Sequence, residues 1–412
     1  MRKKRLLAVY SLAITLAASG CAFGPGTTET SNHVDVTEQI ETTSEITTEE
    51  PTTEAPPTSA TIHGEEYSLD STSLDLSECT SDDIPEIIEA LNQMPSLEKV
   101  NLMKGNDSSS FTPDDVRQLL DAAPAVKFIY RFDLFGKRLS IQDTVVKYVK
   151  DDIGNDGADE IRQALSILRK CELFVLDDCG IDDTVMAGIR DEFPDTKVVW
   201  RIHVGNQSAL TDDTIIRMTH GVDDSMTEPL KYCTETVYMD IGHDEGISDI
   251  SFVSEMPKLE CIILSGSSVS DISPLMNCPN LTWLELNNCT SVSDLSLVSG
   301  NTSVKYLNIS STKIRDISPA NDMKLERFCC IGNGVSQEQI DAFCAANPDC
   351  MTSFTGNPWG YAWRYDDHGY TYFSYYARMR EVFRYDTTSP GGFKYPEYVE
   401  PENTIDPDDI VI

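Results

Sequence analysis

Leu259-Glu260-Cys261-Ile262-Ile263-Leu264 opens a stretch that says the same thing four times before it ends at Val335. The first copy runs Leu259, Ile262, Leu264, Ser267, Val269, Asp271-Ile272, and the second Leu281, Leu284, Leu286, Cys289, Val292, Asp294-Leu295. The third reads Val304, Leu307, Ile309, Thr312, Ile314, Asp316-Ile317, and a fading fourth keeps Leu325, Phe328, Cys330, Asn333 and Val335. The Asp markers at 271, 294 and 316 are 23 and 22 residues apart, a fixed period that marks stacked repeats. One unit cannot bury its own apolar edge. Its L-x-x-L-x-L segment is a short strand whose inward residues form a core only when a neighbouring copy stacks on them.

This stretch resembles the leucine-rich repeat family, in the short-repeat form of internalin-type bacterial surface proteins. The resemblance implies an Asn three positions after the last strand leucine, bonding backbone groups inside the turn. Ser267, Cys289, Thr312 and Asn333 stand there instead, and Ser and Thr hydroxyls can still bond backbone.

A longer period lies upstream. Short Gly-centred strand entries occur at Gly64, Gly136 and Gly205, spaced by 72 and 69 residues. Around the last two, Tyr130-Arg131-Phe132 matches Trp200-Arg201-Ile202, Asp143 matches Asp213 and Pro124 matches Pro194, all offset by 70, which is an internal duplication. Between these entries, Ile84/Ile87/Ile88/Leu91 and Val116/Leu119/Leu120/Ala123 have helical spacing. Thr112-Pro113-Asp114-Asp115 is a helix start, with an N-cap, Pro at the first turn and acids after it. Phe128/Tyr130/Phe132/Leu134 and Val198/Trp200/Ile202/Val204 alternate as half-buried strands do. This half is similar to the longer, helix-bearing repeats of ribonuclease-inhibitor-type proteins. The predicted fold class is therefore α/β: a leucine-rich repeat solenoid with parallel strands on the concave side and helices and short 3-10 turns on the convex side.

The predicted organisation has five parts. Residues 1–20 are a signal peptide, with Arg2-Lys3-Lys4-Arg5 before an apolar run from Leu6 to Ala18. Ala18-Ser19-Gly20-Cys21 resembles a bacterial lipobox, with Ala18 where that motif usually has Leu. The resemblance makes Cys21 the lipidated first residue of the mature chain. Residues 21–60 add a linker: its positions 22–60 hold 11 Thr, 7 Glu and 4 Pro and no Lys or Arg, too little apolar surface to offset ordering entropy. In a polyproline-like state, at ~3.1 Å per residue, it would reach on the order of 100 Å. Residues 61–230 are the long repeats, 231–350 the short ones, and 351–412 an aromatic cap followed by a loose tail. Tyr372, Tyr376, Met379 and Phe383 form a helical stripe suited to covering the open face of a last repeat.

The charge excludes some partners. Against 32 Lys and Arg stand 68 Asp and Glu, a net of -36, so nucleic acid is not expected and a membrane is met through the lipid anchor only. Twelve cysteines, eleven without Cys21, read as mostly free apolar fillers, with Cys289 and Cys330 in core positions and Cys344–Cys350 the pair if any bond forms. The acidic turn from Asp152 departs from a calcium loop at Gly154 and Gln163. The six histidines form no H-x-x-x-H pair, and no phosphate loop or nucleophile elbow is present. No cofactor, metal or enzymatic activity is expected.

What remains is a surface. The outward strand positions line up as Cys261, Trp283, Tyr306, Arg327, then Ile263, Glu285, Asn308, then Ser265, Asn287, Ser310. With strands ~4.8 Å apart, Trp283, Tyr306 and Arg327 form a continuous line of the residue types that dominate binding hot spots. Tyr238, and further upstream Trp200 and Tyr130, would extend it. The expected function is a cell-surface protein- or peptide-binding module, with Tyr238, Ile263, Trp283, Glu285, Tyr306, Asn308 and Arg327 as the face. These rings also suit the plainer role of shielding neighbouring strands. The alternative is a glycan-binding surface protein, with Trp359, Trp363 and Tyr361 as stacking platforms.

Overall fold

The computed structural model describes residues 58–105, 107–356, 361–365 and 371–386, without the side chains of 361 and 362. The signal segment, Cys21, the stalk and Trp359 lie outside the described residues. No helix among the described residues is long and apolar enough to cross a membrane.

The first half is built twice on one plan, and a third hairpin ends it. A hairpin of β1 (Ser59–Ile62) and β2 (Glu65–Ser68) is followed by β3 (Ser73–Asp75), α1 (Ile84–Gln93), β4 (Lys99–Asn101), α2 (Pro113–Ala122) and β5 (Lys127–Ile129). The plan restarts with the hairpin β6 (Arg131–Leu134) and β7 (Lys137–Ser140), then β8 (Val145–Val149), α3 (Ala158–Ile167), β9 (Leu173–Asp177) and α4 (Asp183–Glu192). β10 (Lys197–Val204) is shared: its first four residues pair parallel with β9, and its last four form the third hairpin with β11 (Gln207–Leu210). The 70-residue offset read from the sequence is this plan repeating.

The Gly-centred motifs are hairpin turns rather than entries into the parallel sheet. His63-Gly64 and Phe135-Gly136 both have positive φ at both residues, 52° and 78° and 46° and 78°, the twist that joins adjacent antiparallel strands. Each hairpin interrupts the parallel pairing, so the first half divides into β3-β4-β5 and β8-β9-β10-β11. The helices start where sequence placed them. Thr112 Oγ1 accepts from Asp115 N at 3.3 Å while Asp115 Oδ2 accepts from Thr112 N at 2.8 Å, a capping box that satisfies two helix-end donors.

From Thr214 on, one parallel sheet takes over. β12 (Ile215–Arg217), β13 (Tyr238–Asp240), β14 (Cys261–Ile263), β15 (Trp283–Glu285), β16 (Tyr306–Asn308) and β17 (Arg327–Cys329) precede α5 (Gln337–Ala346) and β18 (Met351–Ser353). They pair in chain order, and the register carries Met239, Ile262, Leu284, Leu307 and Phe328 side by side into the core. The repeated Asp starts each returning limb: Oδ1 of Asp249, Asp271, Asp294 and Asp316 accepts from the backbone N–H two residues on, at 2.8–2.9 Å. The Ser273 and Ser296 hydroxyls, together with these backbone bonds, hold the carboxyls of Asp271 and Asp294 below the usual range, and the Ser318 backbone N–H, together with its hydroxyl, does the same for Asp316. Within the turns, the Cys289 thiol donates to the Leu264 carbonyl at 3.0 Å and Asn333 Nδ2 to the Ile309 carbonyl at 2.9 Å. Thr312 Oγ1 donates to that same Ile309 carbonyl, so different side chains do one job.

All eleven cysteines among the described residues are free, Cys344 and Cys350 included. α5 and Phe354 close the far end of the core, with Phe328 and Phe343 ring centroids 4.7 Å apart. The predicted cap is therefore elsewhere. α6 (Tyr361–Arg364) and α7 (Ser374–Val382) lie on the outer face of the sheet and not over its end.

Candidate binding face

Alternation along each three-residue strand sends the middle residue to the core and the outer two to the opposite face. The register therefore builds two columns: Tyr238, Cys261, Trp283, Tyr306, Arg327, and beside it Asp240, Ile263, Glu285, Asn308, Cys329. All seven predicted face residues fall in these columns. Trp200 and Tyr130 do not. Trp200 packs inward at 5.5 Å from the Tyr232 ring and donates to Asp183 Oδ1, and Tyr130 donates to the Phe111 carbonyl. The hairpins are the reason: where the chain turns out of the parallel sheet, the outward position of β10 is Val199, clustered with Val175 and Leu210.

The face is not open. Residues 361–365 and 371–386 cover it, with α7 running from β16 back to β12. The Trp283 indole, 0% exposed, meets the Trp363 ring at 4.4 Å and stacks on Tyr375 at 5.2 Å and 7°. Tyr306 lies 4.7 Å from Tyr375, and the Tyr375 hydroxyl reaches Thr282 Oγ1 at 2.9 Å. Met379 Sδ is 3.2 Å from Cys261 Sγ, and Phe383 meets Tyr238 edge-on at 6.4 Å. Of the expected stripe, Tyr376 and Met379 lie on α7 and Phe383 follows its last residue, while Tyr372 precedes the helix in a bridge with Tyr365; these side chains cluster with Trp283, Cys261 and Tyr238 and not over the end of the last repeat. Trp363 is 1% exposed, which removes it as a sugar-stacking platform; the Tyr361 side chain lies outside the described residues.

Two arginines clasp the segment by its carbonyls. Arg217 NH1 donates to the Phe383 carbonyl at 2.8 Å and its guanidinium sits 4.8 Å from the Tyr385 ring. Arg327 NH1 donates to the Trp363 and Tyr365 carbonyls, both at 3.0 Å, with its guanidinium 3.9 Å from the Phe373 ring. Arg378 bonds the Tyr238 hydroxyl from the other side.

Two carboxylates are buried beneath. Asp240 accepts from the Tyr385 hydroxyl at 2.5 Å and from Gly242 N at 3.1 Å; Glu285 accepts from Trp363 Nε1 at 3.0 Å, with Ser265 Oγ 3.2 Å from its other oxygen. Burial raises both carboxyls above their ordinary values, against the lowering effect of these donors. Asp240 in turn pushes the buried Tyr385 phenol well up, although burial is the larger cause. A cavity of about 280 Å³ opens along this seam, with Thr219 and Arg380 in its wall and the His220 and His243 rings, 6.0 Å apart, beside it. A buried carboxylate pair beside a cavity invites an enzymatic reading. Here three of the four oxygens accept from Tyr385, Gly242 and Trp363, while the fourth lies beside the Ser265 hydroxyl, which is closer to Asn287 Oδ1; among the described residues no three His, Cys, Asp or Glu converge as a metal set.

No family model and no curated protein matches the sequence. Solved structures do. An internalin (InlF) from Listeria monocytogenes is 18% identical over 74% of this chain and 89% of that one, with a TM-score of 0.33. A leucine-rich repeat protein of Leptospira interrogans is 12% identical over 65% and 74%, with a TM-score of 0.30. The functional domain of InlJ from Listeria monocytogenes, which includes a cysteine ladder, is 13% identical over 68% and 72%, with a TM-score of 0.28. At these identities and scores they add nothing to the strand register, on which the repeat architecture rests.

The signal that was missed is the covering itself. The helical stripe was legible, but Arg217 and Phe383 are 166 residues apart and no period relates them.

Proposed function

We propose that this chain is an exported, lipid-anchored display module of a bacterial surface, a binding protein and not an enzyme. In this reading Cys21 carries the acyl anchor and the Thr/Glu/Pro segment is the stalk. The stack is a leucine-rich repeat solenoid, helix-bearing in its first half, whose concave strand face binds a protein or peptide. The observation that carries the reading is that this face holds a peptide segment: Trp283 and Tyr306 stack its rings while Arg217 and Arg327 take its carbonyls. Aromatic and arginine anchors in a desolvated patch are what a binding hot spot is made of.

Affinity capture from a cell-surface extract tests it, comparing the wild-type protein with a Trp283→Ala/Tyr306→Ala variant. A partner held by the wild type and lost by the variant, with far-UV circular dichroism unchanged, is the expected outcome. Equal capture by both would refute the use of this face.

A further inference from the structure

We propose that the partner of the outer face is an amphipathic helix with an aromatic and methionine stripe, and that α7 with its flanks is a resident mimic that must leave before the partner binds. The inference rests on the reading of this face as a binding surface and names what it takes and what regulates it.

The segment is held as a ligand is held. The bonds that join it to the repeats are made by side chains: Arg217, Arg327, Thr282, Tyr238, Asp240 and Glu285 on the repeat side. It adds no strand to the seven-stranded sheet, whose edge strands are β12 and β18. Its apolar contacts form a cluster separate from the repeat core that holds Leu284, Leu307 and Phe328. An amphipathic helix laid by one stripe into a groove is a recurring mode of peptide recognition, and Tyr376 and Met379 of α7, with Phe383 at its C-cap, are spaced i, i+3 and i+7 and are all buried.

The arginines define the rest of the chemistry. Phe383 is the residue that ends α7, so Arg217, 6% exposed, binds a carbonyl that the helix itself leaves unpaired. A cation there also meets the negative end of the helix dipole. Arg327, 4% exposed, does the same beside the end of α6. The face therefore reads a ring stripe together with a helix C-terminus, features that a foreign helix can supply equally well.

The fit of the resident segment is incomplete on the face side. Among the described residues, Trp283 Nε1 and Asn308 Nδ2 are buried donors without a partner, and Thr219 Oγ1 at the seam is a third buried polar atom without one. Buried polar groups in folded proteins are otherwise almost always paired. A partner helix that places acceptors over Trp283 and Asn308 makes bonds the segment does not, which gives it the advantage needed to displace a tethered competitor.

The test uses the full chain and, as probe, a fluorescein-labelled peptide of residues 371–386. Met379→Asp sets a charge against the buried Cys261 and loosens the resident segment, and Phe383→Ser is the second such variant should the first fold poorly. Fluorescence anisotropy should show the peptide binding each variant at least tenfold more tightly than wild type, and Arg217→Ala added to either should reduce that binding about tenfold. A variant with native circular dichroism and a protease-sensitive C-terminal segment that binds the peptide no better than wild type overturns the proposal. The two readings fail separately. Peptide binding alongside Trp283-independent capture of a partner removes the functional reading alone; Trp283-dependent capture without peptide binding removes the helix mimic alone.

Discussion

The two faces of the seven-stranded sheet are both buried, and they are buried in different ways. The inner face is covered by its own repeats: Met239, Ile262, Leu284, Leu307 and Phe328 follow one another at the repeat period and share a single core. The outer face is covered by a segment from far along the chain, through rings, guanidiniums and two carboxylates of raised pKa, and it leaves donors unpaired. Periodic apolar burial makes a scaffold. Aperiodic, mixed and imperfectly satisfied burial is the pattern expected of a docked ligand, so the second cover should be removable without unfolding and the first should not.

The largest effect that separates the faces should come from the inner one. Leu284→Ala empties a fully buried site and should cost about 2–5 kcal/mol in the cooperative unfolding of the repeats. Urea melts followed by far-UV circular dichroism report it. A loss confined to α7, with the strands unaffected, would mean that the faces are not distinct in the way described.

A smaller effect, of opposite character, should come from the carboxylates of the outer face. Asp240 faces Arg217, His243 and Tyr385; Glu285 faces Arg364, Trp363, Ser265 and Asp240. Their pKa values are raised in the docked state and return to ordinary carboxyl values once the segment leaves, so docking takes up protons. Docking is then strongest below the ordinary carboxylate range and weakens as pH rises through the raised values, by at most about 1.4 kcal/mol per pH unit for each group. Glu285→Gln keeps an acceptor for Trp363 and removes one of the two groups. Its protease sensitivity at residues 371–386 should rise less steeply with pH than that of the wild type. An unchanged slope would assign the pH dependence to Asp240.

The same division explains what the sequence could say. The 22- and 23-residue steps and the strand parity missed Asp240 and Cys329 but were enough to place Cys261, Trp283, Tyr306 and Arg327 in one outer column and Ile263, Glu285 and Asn308 in the other, because a repeat determines its own neighbours. They could not show that the outer columns were occupied, since Arg217–Phe383 and Asp240–Tyr385 contacts span 166 and 145 residues with no pattern in common. In the first half, parity failed at Trp200 and Tyr130 because hairpins break the parallel sheet there. Only half of that signal is present in the sequence: Gly136 suits positive φ, but Phe135 does not, so the pair lacks the Asn-Gly or Asp-Gly signature of a hairpin turn.

The central claim is that α7 is a separable occupant of the outer face. Native-state hydrogen exchange of the wild-type protein measures this directly, by comparing the amides of residues 374–382 with those of β13 to β17. The account predicts that the helix opens at a lower free energy than the strands, and that its opening leaves their protection unchanged. Exchange of α7 only together with the strands, at the free energy of global unfolding, would contradict it.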